Sequence, residues 1–149
     1  MSRGLIWSGV LLTAVVGLCV AGCGGGSQTA AGGGASAVAW ERDLPSALAR
    51  AGNEKKVVMV DFYTDWCKWC RRLDETTFAD GSVQKALQGV VTVRLNAEKD
   101  GRDAAARFNV DGFPTIIFLD PAGSEIGRIP GYMEPGPFLQ ELTNIVRKG

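Results

Sequence analysis

From about residue 39 onward the apolar positions follow two different periodicities, one typical of helices and one of buried strands. Residues 57–63 are a mostly β-branched and aromatic run, which is typical of a strand buried on both faces. Residues 135–147 instead place their apolar side chains at helical spacing, which predicts a closing helix. The full pattern predicts helices over 44–51, 67–77, 82–87, 102–108 and 135–147, and strands over 57–63, 90–95, 115–119 and 125–129.

The order of these segments predicts an α/β fold class. Strands separated by helices, followed by a hairpin turned at 120–123, indicate a central mixed β-sheet flanked by helices, which is a three-layer sandwich. About 110 residues are enough for one such core. We therefore assign residues 39–149 to a single domain.

The first 22 residues have the pattern of an export signal rather than of the fold. Arg3 gives a positive start, and an apolar run follows from Leu5 to Val20. A membrane-spanning helix needs about 20 apolar residues, so this run suits the apolar region of a signal peptide better. The alternative interpretations are an uncleaved anchor helix, or an ordinary signal peptide that is cut nearby and leaves Cys23 free.

A candidate lipidation site follows directly. Val20-Ala21-Gly22-Cys23 resembles the lipobox of bacterial lipoproteins, in which the cysteine is acylated and becomes the new N-terminus. That resemblance implies a signal peptide over 1–22 and a lipidated Cys23. Residues 23–38 are rich in glycine and serine and would act as a flexible tether between the lipid and the domain. We therefore expect a protein that is exported and anchored to the bacterial cell envelope.

Charge and composition exclude several function classes. Lys plus Arg and Asp plus Glu both number 16, so the sequence shows no basic excess for nucleic acid. The chain has no histidine, which excludes Ser-His and Cys-His catalytic pairs, Cys2His2 zinc sites and C-x-x-C-H haem attachment. We expect no cofactor, no metal and no nucleic-acid partner.

After removal of the signal and lipidation of Cys23, two of the four cysteines remain, Cys67 and Cys70. Two cysteines cannot make a four-cysteine zinc site, and a disulfide across two residues restrains little of the unfolded chain. These observations argue against a structural role for Cys67 and Cys70 and favour a reactive one.

Cys67 and Cys70 lie where a predicted buried strand meets a predicted helix. A helix N-terminus favours negative charge, so we expect Cys67 to be the first helical residue, exposed and reactive as a thiolate. Cys70 returns to the same face one turn later and could resolve a mixed disulfide on Cys67. The C-x-x-C spacing in this context indicates thiol–disulfide exchange.

The segments around Cys67, Cys70 and Pro114 resemble the thioredoxin family. Residues 60–70 are similar to its active-site segment, and Gly112-Phe113-Pro114-Thr115 resembles its cis-proline loop. The resemblance runs from Val57 to the closing helix and implies a thioredoxin-like fold.

The resemblance also implies roles for individual residues. Cys67 would be the nucleophile, Cys70 the more buried resolving thiol, and Asp61 the buried proton acceptor. Arg94 stands where the family often has a lysine near that carboxylate, and Gly131 matches a glycine at the rim. Pro114 would be cis, in a loop that packs against the disulfide. The substrate-binding candidates are Trp66, Lys68, Trp69, Phe113 and Pro114.

Lys68-Trp69 departs from the glycine and proline that thioredoxins have between their cysteines. The W-C-x-W-C pattern resembles the thioredoxin-like domains of bacterial envelope reductases. It implies partners that carry protein dithiols or disulfides, and it is compatible with a transmembrane thiol reductase as the electron source. A cation at Lys68 should favour the thiolate and so the reduced form. Trp69 could equally be a simple packing residue.

Three functions therefore stay open from the sequence. The first is a membrane-anchored reductase of disulfides in exported proteins, and the second is a thiol oxidase that uses the same residues. The third is a binding or metal-handling module in which Cys67 and Cys70 bind a soft ion such as Cu(I).

Overall fold

The computed structural model describes residues 37–148. The expected signal peptide (1–22), the expected lipidation site Cys23 and all but the end of the expected tether lie outside the described residues. Within 37–148, no helix combines the length and the apolar character that crossing a membrane requires.

The described chain contains five strands and five helices. In chain order they are β1 (Trp40–Glu41), α1 (Leu44–Glu54), β2 (Val58–Tyr63), α2 (Lys68–Glu75), α3 (Gly81–Leu87), β3 (Val91–Asn96), α4 (Arg102–Arg107), β4 (Thr115–Leu119), β5 (Glu125–Pro130) and α5 (Pro135–Val146).

All five strands form one mixed sheet in the order β1-β3-β2-β4-β5. Strand β2 runs parallel to β3 on one side and antiparallel to β4 on the other. Because β2 has a partner on each edge and helices over both faces, nearly all of its residues are buried, as its apolar run predicts. The hairpin predicted over 115–129 is the antiparallel pair β4–β5.

Successive side chains of β2 enter two different cores because they alternate across the sheet. Phe62 is buried in a core shared with α1 and α4, while Met59 is buried in a core shared with α2, α3 and α5. Helices therefore cover both faces of the mixed sheet. The predicted α/β three-layer fold class is confirmed.

Two features at the start of the domain differ from the sequence prediction. The helix predicted over 44–51 continues to Glu54 and ends where Lys55 adopts a left-handed backbone with φ of 54°. Asp43 caps its start, since the Ser46 N–H donates to Asp43 Oδ1 at 2.8 Å. Strand β1 was not predicted, because it is a two-residue element defined by its pairing with β3.

Candidate active site

The centre of the candidate site lies at the end of the central strand. Strand β2 ends at Tyr63, and a short turn leads into α2 with a hydrogen bond from the Cys67 N–H to the Thr64 carbonyl at 3.2 Å. Helix α2 begins at Lys68, so Cys67 is its N-cap. The expectation that Cys67 would be the first helical residue was wrong by one position. The Cys67 Sγ accepts a hydrogen bond from the Cys70 N–H at 3.0 Å. A sulfur in this position lies at the positive end of the helix dipole.

Cys67 and Cys70 are joined in a disulfide, with their Cα atoms 5.3 Å apart. Both are almost fully buried, at 3% and 2% exposed. The expectation of an exposed Cys67 was therefore wrong for this oxidised state. The reason is local, since the N-cap geometry and the bond to Cys70 turn the sulfur toward the helix rather than toward solvent.

The predicted cis-proline loop lies beside this motif. The Phe113–Pro114 peptide bond is cis, as expected, and Pro114 is buried. The Pro114 carbonyl accepts from the Gly131 N–H at 2.8 Å, and the Phe113 ring meets the Trp66 ring edge-on at 6.1 Å between centroids. The two segments that the family resemblance singled out are thus in contact through their aromatic side chains.

Asp61 is a fully buried carboxylate on β2. Burial raises its pKa from 3.8 to about 7, against the opposing effect of Arg94 and with a further increase from Asp74. Arg94 Nε lies 3.1 Å from Asp61 Oδ2, yet neither carboxylate oxygen has a hydrogen-bond partner within residues 37–148. The guanidinium therefore acts as a nearby charge and not as a hydrogen-bond donor, which leaves burial as the dominant influence.

Arg94 links this buried carboxylate to helix α2. Its Nη2 donates to Asp74 Oδ2 at 2.8 Å, and its guanidinium lies over the Tyr63 ring at 4.5 Å. Burial disfavours its charged form, but the carboxylates of Asp61 and Asp74 outweigh this and raise the pKa of Arg94 above its ordinary value. Asp74 is partly buried against Arg94, although a charged residue on an amphipathic helix is typically expected to face water. Its position four residues after Cys70 could have indicated a shared helix face.

An opening of about 270 Å³ reaches this region from solvent. Cys70, Asp74 and Arg94 are among the residues that line it. Cys70 is therefore almost fully buried, yet it adjoins an opening that Asp74 and Arg94 also line.

An exposed aromatic residue directly precedes each cysteine of the disulfide in the chain. Trp66 is 64% exposed and donates from Nε1 to the Glu98 carboxylate at 3.1 Å. Trp69 is 53% exposed and packs against the Tyr132 ring at 5.5 Å. Lys68, between the cysteines, is exposed. Tyr132 was not predicted, because only the fold brings the segment after β5 next to α2.

Metal chemistry has no obvious site in this part of the chain. Among residues 37–148, no three cysteine, aspartate or glutamate side chains group so that they could hold a metal ion.

Residues 44–145 match the family model of the thioredoxin-like domain. The match covers more than half of the chain. The chain belongs to the thioredoxin-like family. Its fold, its family and the Cys67–Cys70 disulfide together support a thioredoxin-like disulfide oxidoreductase.

The thioredoxin-like domain is similar to proteins named thiol:disulfide interchange protein DsbD. It is 41% identical over 110 residues to the one from Cronobacter sakazakii and 39% identical over 111 residues to the one from Yersinia enterocolitica. Each match covers 70% of this chain and 19% of the relative. The chain therefore spans about a fifth of the length of these relatives.

Two solved structures share the fold at appreciable sequence identity. A thioredoxin from Thermus thermophilus is 30% identical with a TM-score of 0.67, over 76% of this chain and 92% of that one. A putative disulphide-isomerase from Bacteroides thetaiotaomicron is 28% identical with a TM-score of 0.66, over 75% and 95% of the two chains.

Proposed function

We propose that the thioredoxin-like domain exchanges electrons with protein disulfides through Cys67 and Cys70, and that it reduces the disulfides of exported proteins. The observation that carries the proposal is the Cys67–Cys70 disulfide at the start of α2, in a segment whose Trp66 ring meets the Phe113 ring edge-on. The names of the DsbD relatives, which contain the words thiol:disulfide interchange, agree with this chemistry.

The reaction starts from the reduced pair. The Cys67 thiolate attacks one sulfur of the substrate disulfide, which forms a mixed disulfide and releases the other substrate sulfur as a thiolate. The hydrogen bond from the Cys70 N–H and the positive end of the α2 dipole stabilise the thiolate before the attack. Lys68, the first residue of α2, adds a positive charge beside it.

The second step releases the substrate. Cys70 loses its proton and attacks Cys67 Sγ, so that the Cys67–Cys70 disulfide forms and the second substrate sulfur leaves as a thiolate. We assign the proton acceptor to Asp61, because a carboxyl whose pKa is raised to about 7 can both take up and release a proton near neutral pH. The opening lined by Cys70 and Arg94 gives solvent a place to carry that proton.

The substrate would lie across the surface around the disulfide. In this proposal, the backbone of Phe113 and the ring of Pro114 contact an extended chain, while Trp66 and Trp69 supply apolar contact area. The exposure of both tryptophans supports this role, since large exposed apolar side chains often mark interaction sites.

The cellular setting is proposed from the N-terminal sequence. A lipidated Cys23 and the glycine-rich tether would hold the domain at the bacterial cell envelope, outside the cytoplasm. In that compartment the domain needs an electron source, for which we propose a transmembrane thiol reductase.

A protein-disulfide reduction assay tests the activity. We expect the pre-reduced domain to reduce the disulfides of insulin, Cys67→Ser to lose this activity, and Cys70→Ser to accumulate a mixed disulfide on Cys67. If Cys67→Ser/Cys70→Ser reduced insulin at the original rate, the proposed dithiol mechanism would fail, and if the unaltered domain did not reduce insulin, a binding or metal-handling module would be favoured instead.

A further inference from the structure

Helix α2 carries three cations that no carboxylate neutralises within the described residues. Lys68, Arg71 and Arg72 are all exposed, and none has an ion pair within 4.0 Å among residues 37–148. Two nearby acids are already occupied by other cations, since Asp65 pairs with Lys99 and Asp74 pairs with Arg94. The exposed face of α2 therefore carries three positive charges without an ion pair among residues 37–148, whereas Glu98, which accepts from Trp66 Nε1, is the acid near the motif that likewise has no ion pair there.

This arrangement is unfavourable for the helix itself. The positive end of the helix dipole favours acidic side chains in the first turn, but α2 has none there and begins with Lys68. Glu75 is the remaining exposed acid of α2, and it lies at the opposite end of the helix. Local rules of this kind are most often broken where a surface has a function.

An ordered aromatic surface adjoins the cations. Trp69 packs against Tyr132, and the Arg72 guanidinium lies over the Tyr132 ring at 5.6 Å. The Tyr132 hydroxyl is within hydrogen-bond distance of Thr76 Oγ1, at 3.2 Å, which ties the ring to the end of α2. A large exposed side chain that is already held in place loses little entropy when a partner covers it.

We propose that Lys68, Arg71 and Arg72, together with the Trp69–Tyr132 pair, form a docking surface for a partner protein whose reactive cysteines are flanked by acidic residues and by an apolar residue. The inference rests on the proposed thiol–disulfide exchange, for which it specifies the partner. Opposite charges accelerate encounter, and the aromatic pair offers an apolar contact once the partner has docked.

A bilayer with anionic headgroups is the other surface that cations and tryptophans suit. The position of the disulfide favours a protein instead. Trp66 and Trp69 each directly precede one of the two cysteines in the chain, so a membrane that covered both tryptophans would also cover the sulfurs that must meet a substrate.

Two disulfide-bonded model peptides test the charge preference. They would be identical except that one has Asp and Glu beside its cysteines and the other has Lys. The measurement is the second-order rate constant for their reduction by the stoichiometric, pre-reduced domain. We expect the acidic peptide to react roughly tenfold faster at low ionic strength. The ratio should approach one at about 1 M salt, where the Debye length falls to about 3 Å.

Charge variants locate the effect. Arg71→Gln/Arg72→Gln should reduce the acidic-to-basic ratio severalfold, and the ratio cancels any change in thiol reactivity that both peptides share. The matched control is Arg42→Gln/Lys85→Gln, which removes two exposed cations outside α2. This control changes the net charge equally and should keep the ratio.

The aromatic part has its own test. Trp69→Ala should slow an acidic peptide with Leu beside its cysteine more than one with Ala at that position.

The outcomes separate the inference from the function on which it rests. If neither peptide were reduced, the thiol–disulfide exchange itself would be wrong. If both were reduced at equal rates in low salt, or if the control changed the ratio as much as the α2 variant does, only the docking surface would be wrong. Binding of the domain to anionic vesicles that depends on Arg71 and Arg72 would also overturn the protein partner in favour of a membrane.

Discussion

Replacing Asp61 by Asn should stabilise the oxidised domain at neutral and alkaline pH. Asp61 is fully buried and has no hydrogen-bond partner in the described chain. Arg94 lies close to it, but the two side chains do not form a hydrogen bond. Asn has nearly the same shape and carries no charge that burial would penalise. Arg94 keeps its hydrogen bond to Asp74 in the variant.

The magnitude follows from the pKa of Asp61, which burial raises from 3.8 to about 7. Between these two values the unfolded chain has released the Asp61 proton while the folded chain still holds it. The unfolded state therefore binds fewer protons, and the free energy of unfolding falls as the pH rises. At about 1.4 kcal/mol per pKa unit, the raised pKa of Asp61 lowers the free energy of unfolding by about 4 kcal/mol once the pH is above 7. At pH 5 it is about 2 kcal/mol or less.

Urea denaturation of the oxidised wild type and Asp61→Asn at pH 5 and pH 8 measures this difference. We expect the variant to be more stable at both pH values, with a clearly larger gain at pH 8. The control is Asp103→Asn, an exposed carboxylate on α4 without an ion pair in the described chain, which should show no comparable pH dependence. A gain that is equal at both pH values, or a loss at pH 8, would refute the assignment of Asp61 as a carboxyl with a raised pKa.

Further predictions concern the thiols, the packing and the anchor. Cys70→Ser should form a long-lived mixed disulfide with a protein substrate through Cys67, visible on non-reducing gels, and its absence would argue against Cys67 as the attacking sulfur. Gly101→Ala should destabilise the domain by about 1–3 kcal/mol in urea denaturation, because a Cβ there would lie 2.7 Å from Leu95 Cβ, and Gly136→Ala, where a Cβ meets nothing within 4 Å, should not. Mass spectrometry of the mature N-terminus should find an acylated Cys23, and an unmodified thiol would disprove the lipid anchor.

Much of the fold could be read from the sequence because its strands are strongly patterned. The β4 prediction matches the observed Thr115–Leu119, the β2 prediction starts one residue early, and the β3 prediction is shifted by one residue at both ends. Buried strands leave this clear signal because both of their faces must be apolar. Helix α1 was cut short because Gly52-Asn53 looks like a stop, whereas the left-handed residue that ends the helix is Lys55.

The site was only partly predictable. The position of Cys67 and Cys70 at a strand–helix junction follows from local pattern, and their pairing needs only the spacing of one turn. The cis bond before Pro114 came from the family resemblance, because only about 5–6% of X-Pro bonds in folded proteins are cis.

Contacts between distant segments could not be predicted from local pattern. Asp74 reads as a solvated helix residue until the sheet places Arg94 beside it. Tyr132 has no local signal that connects it with Trp69, since 63 positions separate them along the chain and only the packing of β5 and α2 brings them together. These contacts belong to the tertiary fold, and they carry the charge network and the docking surface.

The central claim is that Cys67 and Cys70 form a reversible dithiol–disulfide couple, and its midpoint potential tests this most directly. Equilibration of the purified domain with thiol–disulfide buffers should give one two-electron transition, which Cys67→Ser abolishes. For a reductase we expect a potential nearer to about −270 mV, the value of thioredoxin, than to about −120 mV, the value of a strong oxidant. No reversible transition would contradict the account, and a potential near about −120 mV would contradict its direction.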